Sequence, residues 1–183
     1  PMVRDGETLR AALPHQPPAG KLEYQVRLAK GEATALFPER PAITRFKGEV
    51  SPVVLTPHIF AMFAGMLVAN AAGLLALRGE KKLFGISLVV IALLSVGGLF
   101  LGPLVQKAAF GAYWTGWPFG TDLTDNKTAV AVLAWAVAAF RARGRRDARG
   151  WVVGAAVVTL AVFLIPHSAM GSQIDWSKVP PAK

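Results

Sequence analysis

The spacing of hydrophobic and polar residues changes once along the chain, near residue 50. Before that point, apolar and polar residues alternate most clearly over residues 21–29. A period of two places one set of side chains on each face of a strand, so this segment predicts a half-buried β-strand. From Pro52 onward the apolar residues form long runs instead. The pattern therefore predicts a small β-domain followed by apolar helices.

Residues 1–50 are expected to form an extracytoplasmic, β-sandwich-like domain. Beyond the strand at 21–29, two shorter strands are predicted at 33–37 and 43–46, separated by prolines and turn residues. About four strands amount to roughly half of the seven in an immunoglobulin-like sandwich. We therefore expect a partial β-sandwich that is truncated at its N-terminus.

Four segments are candidates for membrane spans, because a helix needs roughly 20 apolar residues to cross about 30 Å of hydrocarbon. They are residues 58–77, 83–105, 125–141 and 151–170. The third is the weakest. It reaches span length only if Asp125 is its N-cap and if Arg141 and Arg143 extend their charges to the interface. The predicted fold class is a membrane α-helical protein. A four-helix transmembrane bundle over residues 51–172 carries the partial β-sandwich.

The basic residues predict how this bundle is oriented, because Lys and Arg accumulate in cytoplasmic loops. The loop at 78–82 contains three of them and the loop at 141–149 contains five. If both loops are cytoplasmic, the N-terminal domain, the 106–127 loop and the 173–183 tail lie outside. The predicted localisation is the bacterial inner (cytoplasmic) membrane, with several spans and with both termini extracytoplasmic.

Composition narrows the function further. The formal net charge is +9 and the pI is about 10.4, which would suit a nucleic-acid-binding protein. The basic residues are divided among membrane-flanking loops, however, and this distribution argues against nucleic acid as a partner. The chain has no cysteine, which excludes disulfides and thiolate chemistry. It also lacks a Gly-rich phosphate loop, a nucleophile elbow and a zinc-protease motif, so no catalytic residue is predicted.

Two histidines are the candidate ligands. In the predicted topology His58 opens the first span and His167 closes the last, both on the outer side, so their rings lie at similar depth and could meet. Two neutral imidazoles could bind the iron of haem b or a divalent metal ion. A role in proton transfer and a purely structural role at the membrane interface are the alternatives.

A polar cluster is predicted at the start of the third span. It consists of Asp122, Asp125, Asn126 and Lys127. One of its carboxylates could complete a metal site with the histidines. As a structural element, Asp125 would cap the helix and Asp122 would pair with Lys127 or Lys107. The structural interpretation is favoured, because the spacing lacks the glycine and terminal glutamate of a calcium-binding loop.

Four runs of sequence resemble those of a known family. They are residues 14–24, the pair Pro57-His58, residues 116–128 and residues 165–168. With these runs the chain resembles an uncharacterised family of bacterial integral membrane proteins over essentially its whole length. The resemblance implies an immunoglobulin- or fibronectin-like domain on a multi-helix anchor, with a further N-terminal segment. It implies no established activity, cofactor or catalytic residue.

Two functional hypotheses follow. The first is a non-enzymatic anchor or accessory subunit in the lipid bilayer. It would present the β-domain and the 106–127 loop to envelope or membrane protein partners and would need no cofactor. The second is a redox or metal- or haem-handling membrane subunit that uses His58 and His167.

Overall fold

The computed structural model describes residues 2–120, 123–143 and 147–165. The described residues divide into two compact units. The first, here called the β-unit, ends at Gly48. The second, the helical unit, begins at Glu49.

The β-unit contains two small antiparallel sheets. The first pairs β1 (Val3–Asp5) with β2 (Thr8–Arg10), and the second pairs β3 (Lys21–Lys30) with β4 (Ala33–Arg45). The second hairpin turns at Gly31, whose φ of +60° is a left-handed conformation that glycine adopts at no steric cost. The alternation at 21–29 therefore correctly predicted a strand. An immunoglobulin-like sandwich stays a prediction, because the described strands form only two-stranded sheets.

β4 is one strand where two short ones were predicted. The prolines that were expected to divide it lie in a bulge, because residues 38–41 of β4 face only Gln25 of β3. The Gln25 amide donates hydrogen bonds to the carbonyl oxygens of Pro38, at 3.0 Å, and Glu39, at 3.1 Å. Proline is tolerated where a ladder is already interrupted. The strand therefore continues past the bulge.

The described residues of the helical unit form five α-helical segments. They are α1 (Pro52–Leu77), α2 (Leu83–Leu94), α3 (Gly102–Phe110), α4 (Leu123–Ala142) and α5 (Arg149–Leu164). A π-helical segment, Ser95–Leu101, joins α2 to α3 as one continuous helix of 28 residues. The described part of the helical unit is thus built from four helices. α1 packs against α2 and α5, and α4 packs against the same two helices, so the four form a closed ring.

The two largest differences from the predicted spans are at the start of α1 and the end of α5. α1 begins at Pro52 rather than at residue 58, because the Ser51 hydroxyl accepts a hydrogen bond from the first turn and proline is favourable at the first helical position. α5 ends at Leu164 rather than at residue 170. Ile165 is extended, with φ −70° and ψ 119°. The next residue in the sequence is proline, which disfavours the helical conformation of the residue before it.

Small residues lie where the helices meet. A Cβ added at Gly73 would lie 2.7 Å from the Cβ of Ala156, and one added at Gly65 would lie 2.8 Å from Leu94. Most of the other buried apolar residues at these contacts are alanines: Ala69, Ala72, Ala76, Ala131, Ala138, Ala139 and Ala155. Such residues let helix backbones approach closely. The core of the helical unit is therefore made largely of backbone and methyl groups.

Most of the large apolar side chains of the helical unit point outward, although Trp135, Leu83 and Leu94 are buried. Examples are Phe60, Phe63, Leu67, Leu74, Leu77, Phe100, Leu133, Phe140 and Leu164, all exposed. α1 and the continuous α2–α3 helix have mean hydropathies of 2.0 and 2.5 in their most apolar windows, yet only 28% of each window is buried. A core helix of a soluble protein would be mostly buried. Both helices are long and apolar enough to cross a membrane.

Candidate functional site

Buried polar side chains gather at the end of the helical unit where α3 stops and α4 begins. They are Gln106, Asp125, Lys127 and Thr128, each no more than 8% exposed. Residues 111–120, here called the aromatic loop, connect to the same region and carry Tyr113, Trp114, Trp117 and Phe119. The sequence predicted Asp125, Asn126 and Lys127 as members of a polar cluster, and all three lie here. Asp122 lies outside the described residues.

Asp125 holds the aromatic loop against α4. One oxygen of its carboxylate, Oδ2, accepts hydrogen bonds from the backbone N–H of Thr115 at 2.7 Å, from that of Gly116 at 3.0 Å and from the Gln106 amide at 3.1 Å. Hydrogen bonds to an ionised acceptor are stronger than neutral ones. A Cβ added at Gly116 would lie 2.9 Å from the Asp125 Cβ, so the loop comes this close only because this residue is glycine.

The predicted role of Asp125 as the N-cap of the third span is wrong. α4 begins at Leu123, which places Asp125 inside its first turn. From that position the carboxylate reaches the loop rather than the start of its own helix. Gln106 was missed in the sequence because a single glutamine at the end of an apolar helix carries no motif. Its amide bonds both Asp125 and the Thr115 hydroxyl, the latter at 2.6 Å.

Further hydrogen bonds shape the aromatic loop. The Asn126 side-chain oxygen accepts from the backbone N–H of Trp117 at 2.8 Å, and the Trp114 indole donates to the Trp117 carbonyl at 3.2 Å. With its backbone held, the loop leaves Trp117 76% exposed and Phe119 84% exposed. The polar residues at the start of α4 therefore fix a loop in which Trp117 and Phe119 face outward.

Lys107 and Lys127 stabilise the C-terminal ends of α3 and α5. The Lys127 ammonium, 4% exposed, donates to the carbonyl of Ile165 just after α5, at 2.8 Å. The Lys107 ammonium donates to the carbonyl of Gly111 just after α3, at 2.7 Å. A cation at a helix C-terminus satisfies carbonyls that lack an intrahelical partner and opposes the helix dipole. The predicted ion pair of either lysine with Asp122 lies outside the described residues.

His58 is held by the π-helical segment. Its Nδ1 lies 2.8 Å from the carbonyl oxygen of Gly97, which also accepts the backbone N–H of Gly102. Because a carbonyl only accepts, this contact requires the proton on Nδ1, and the neutral ring then has a free lone pair on Nε2. The imidazole lines a pocket of about 190 Å³ with Ile59, Met62, Phe63, Met66 and Phe163.

This arrangement of His58 is the one that metal-binding histidines use, with one ring nitrogen bonded to a backbone carbonyl and the other left to ligate. The second predicted ligand, His167, lies outside the described residues. Their predicted approach stays a prediction. Within residues 2–120, 123–143 and 147–165, no three His, Asp or Glu side chains gather as a metal site.

We predict that Asp125→Ala releases the aromatic loop. Three donors, two of them in buried contacts, lose their shared acceptor, so the free energy of unfolding should fall by about 2–4 kcal/mol. Hydrogen exchange should show loss of protection at the Thr115 and Gly116 amides. Asp147→Ala, which removes a carboxylate beyond the far end of α4, is the control and should leave both amides protected. Unchanged exchange at Thr115 and Gly116 in Asp125→Ala would show that the carboxylate does not hold the loop.

Comparison of the chain with known protein families, with curated proteins and with solved structures finds no match. The resemblance to bacterial membrane proteins therefore stays a prediction. The geometry of the aromatic loop, of His58 and of the helix surfaces is the basis for inferring function.

Proposed function

We propose that this protein is a membrane anchor whose four helices cross the bilayer and whose aromatic loop and β-unit face the extracytoplasmic side, where they contact envelope proteins. The observation that carries this proposal is the inverted distribution of side chains in the helical unit. Small residues occupy most of its interior positions, beside the buried Trp135, Leu83 and Leu94, while most of its phenylalanines and leucines lie on its surface.

A lipid environment explains why most of the large apolar side chains lie on the surface. In water, burying a leucine or phenylalanine side chain stabilises a protein by about 1.5–3 kcal/mol, so a soluble bundle turns these side chains inward. In a bilayer, acyl chains cover them equally well, and helices then associate through close backbone packing instead. An α-helix also satisfies its own backbone hydrogen bonds, which a chain in hydrocarbon requires.

α4 and α5 are proposed to cross together with the two longer helices. Both belong to the closed ring of four, so they share the depth of α1 and α2 in the membrane. The one lysine within α4, Lys127, is buried and bonded to the end of α5, so its charge is not presented to lipid. The eight basic residues of the 78–82 and 141–149 loops favour a cytoplasmic position for both loops.

The aromatic loop is proposed as the contact with a partner protein. Exposed tryptophans and other aromatic residues supply much of the binding energy in protein interfaces. A loop that is already held in one conformation also loses less entropy on binding than a free loop. The hydrogen bonds that Asp125 and Asn126 accept from the loop backbone provide this rigidity. Trp117 and Phe119 provide the exposed rings.

This role can be tested by placing a photo-crosslinking phenylalanine analogue at Trp117 in the full chain in its native membrane. We expect a discrete protein adduct, which the Asp125→Ala substitution should remove by releasing the loop. The same analogue at Phe100, which is 67% exposed on the π-helical segment, is the control and should give lipid adducts. If the analogue at position 117 yields only lipid adducts, as the one at position 100 should, the loop is an interfacial anchor and the partner proposal is wrong.

The second candidate function is a redox or metal-handling role of His58. The hydrogen bond from Nδ1 to Gly97 supports it, because it leaves Nε2 ready to bind haem iron or a metal ion. If His167 completes the site, an absorption spectrum of the purified full chain should show a Soret band.

His58→Ala should abolish that band. His15→Ala is the matched control, because His15 contacts Phe46 in the β-unit and should have no effect on the spectrum. A purified protein with neither bound haem nor bound metal ion, or a band that survives His58→Ala, would contradict the redox role.

A further inference from the structure

A second charged feature lies at the end of the helical unit away from the aromatic loop. The loop that joins α1 to α2 meets the start of α5 there, and together they enclose a cleft of about 610 Å³, here called the basic cleft. Its lining residues are Glu80, Lys81, Lys82, Leu83, Asp147, Ala148 and Arg149. The proximity of the two segments is also seen at Gly79, where an added Cβ would lie 3.6 Å from the Arg149 guanidinium.

The two carboxylates of the basic cleft already accept hydrogen bonds from other groups of the chain. The Glu80 carboxylate accepts the backbone N–H groups of Lys81 at 2.8 Å and Lys82 at 2.9 Å, and these bonds lower the pKa of Glu80. Asp147 forms a bidentate ion pair with the Arg149 guanidinium. Both N–O distances are 2.9 Å, and the pair lowers the pKa of Asp147 to about 2. Both groups therefore remain ionised and bonded to neighbours in the chain.

The ammonium groups of Lys81 and Lys82 differ from these carboxylates in their bonding. Both side chains are exposed, and neither ammonium forms an ion pair or hydrogen bond with the residues that the structure describes. Lys81 is near enough to Asp147 to contribute to its lowered pKa without contacting it. The cleft thus offers two cationic groups to an external anion.

The position of the basic cleft indicates what that anion is. The cleft opens between the end of α1 and the starts of α2 and α5, which is the level of the lipid headgroups if these helices cross the membrane. Next to it, the Arg141 guanidinium lies 4.6 Å from the ring centre of Trp151, and both residue types are typical of the interface. Basic pockets between helices on the cytoplasmic side are suited to acidic lipid headgroups.

We propose that the basic cleft binds the phosphate group of an anionic phospholipid, with Lys81 and Lys82 as its cationic ligands. This inference rests on the proposed membrane position of the helical unit, but not on the partner or redox proposals. The acyl chains of such a lipid would lie along the exposed apolar faces of α1 and α2. A free phosphate ion would make the same contacts with Lys81 and Lys82 but would lack the contacts of the acyl chains.

The test is native mass spectrometry of the full chain in a neutral detergent, with phosphatidylglycerol titrated against phosphatidylcholine. We expect clear preference for phosphatidylglycerol. Lys81→Gln and Lys82→Gln should each weaken its binding by about fivefold, since one basic residue near a lipid surface contributes about that factor. Lys30→Gln removes an exposed cation of the β-unit and is the control. It should bind both lipids as the unmodified protein does.

Two results would overturn the proposal. One is an undiminished preference for phosphatidylglycerol in both lysine variants, provided that their helical circular dichroism matches that of the unmodified chain. The other is displacement of the bound lipid by millimolar inorganic phosphate, which would identify a site for a soluble anion. A chain that does not lie in the membrane would instead bind neither lipid, which separates failure of this proposal from failure of the membrane anchor itself.

Discussion

The close approach of helix backbones is the interaction on which the helical unit depends. Gly73 faces Ala156 and Gly65 faces Leu94 at distances that leave no space for another methyl group. Because small residues occupy most of the contacts, most of the large apolar side chains lie on the surface. The largest exceptions are Trp135, Leu83 and Leu94, which are buried. One buried polar contact also links α4 to α5, where the Trp135 indole donates to the Thr159 hydroxyl at 2.8 Å. Such packing is favourable in lipid, where van der Waals contacts and polar bonds between helices replace the hydrophobic effect.

The two ends of this bundle are chemically different. At one end, Asp125 and Asn126 hold the aromatic loop by its backbone, so that its rings are presented outward. At the other end, Lys81, Lys82 and Arg149 surround a cleft at the junction of two loops. The π-helical segment lies between α2 and α3 and supplies the carbonyl that orients His58. π-Helical turns within α-helices frequently occur at functional sites, which is consistent with a ligand role for this histidine.

Local patterns in the sequence predicted the elements, whereas contacts between distant residues decided the details. The alternation at 21–29 predicted β3, and the apolar runs predicted the helices, because periodicity and run length are local properties. The bulge opposite Gln25 was missed, because it depends on cross-strand pairing. The role of Asp125 was also missed, since its partners lie in a loop and in α3, and a capping residue and a loop-binding residue have the same sequence signal. The end of α5 at Leu164 could have been predicted from Pro166, because a proline disfavours the helical conformation of the residue before it.

Lipid is proposed to cover the exposed apolar surface of the helical unit, and this can be measured directly because the sequence contains no cysteine. Single cysteines would be placed at Leu67 and Leu133, which are 71% and 65% exposed, and at Tyr113 and Glu80 in the loops. A water-soluble, membrane-impermeant maleimide should label Tyr113→Cys in intact cells and Glu80→Cys only after the membrane is opened. Leu67→Cys and Leu133→Cys should stay unlabelled until the protein is denatured in detergent. Rapid labelling of these two positions in native membranes would show that they face water, and would contradict the account.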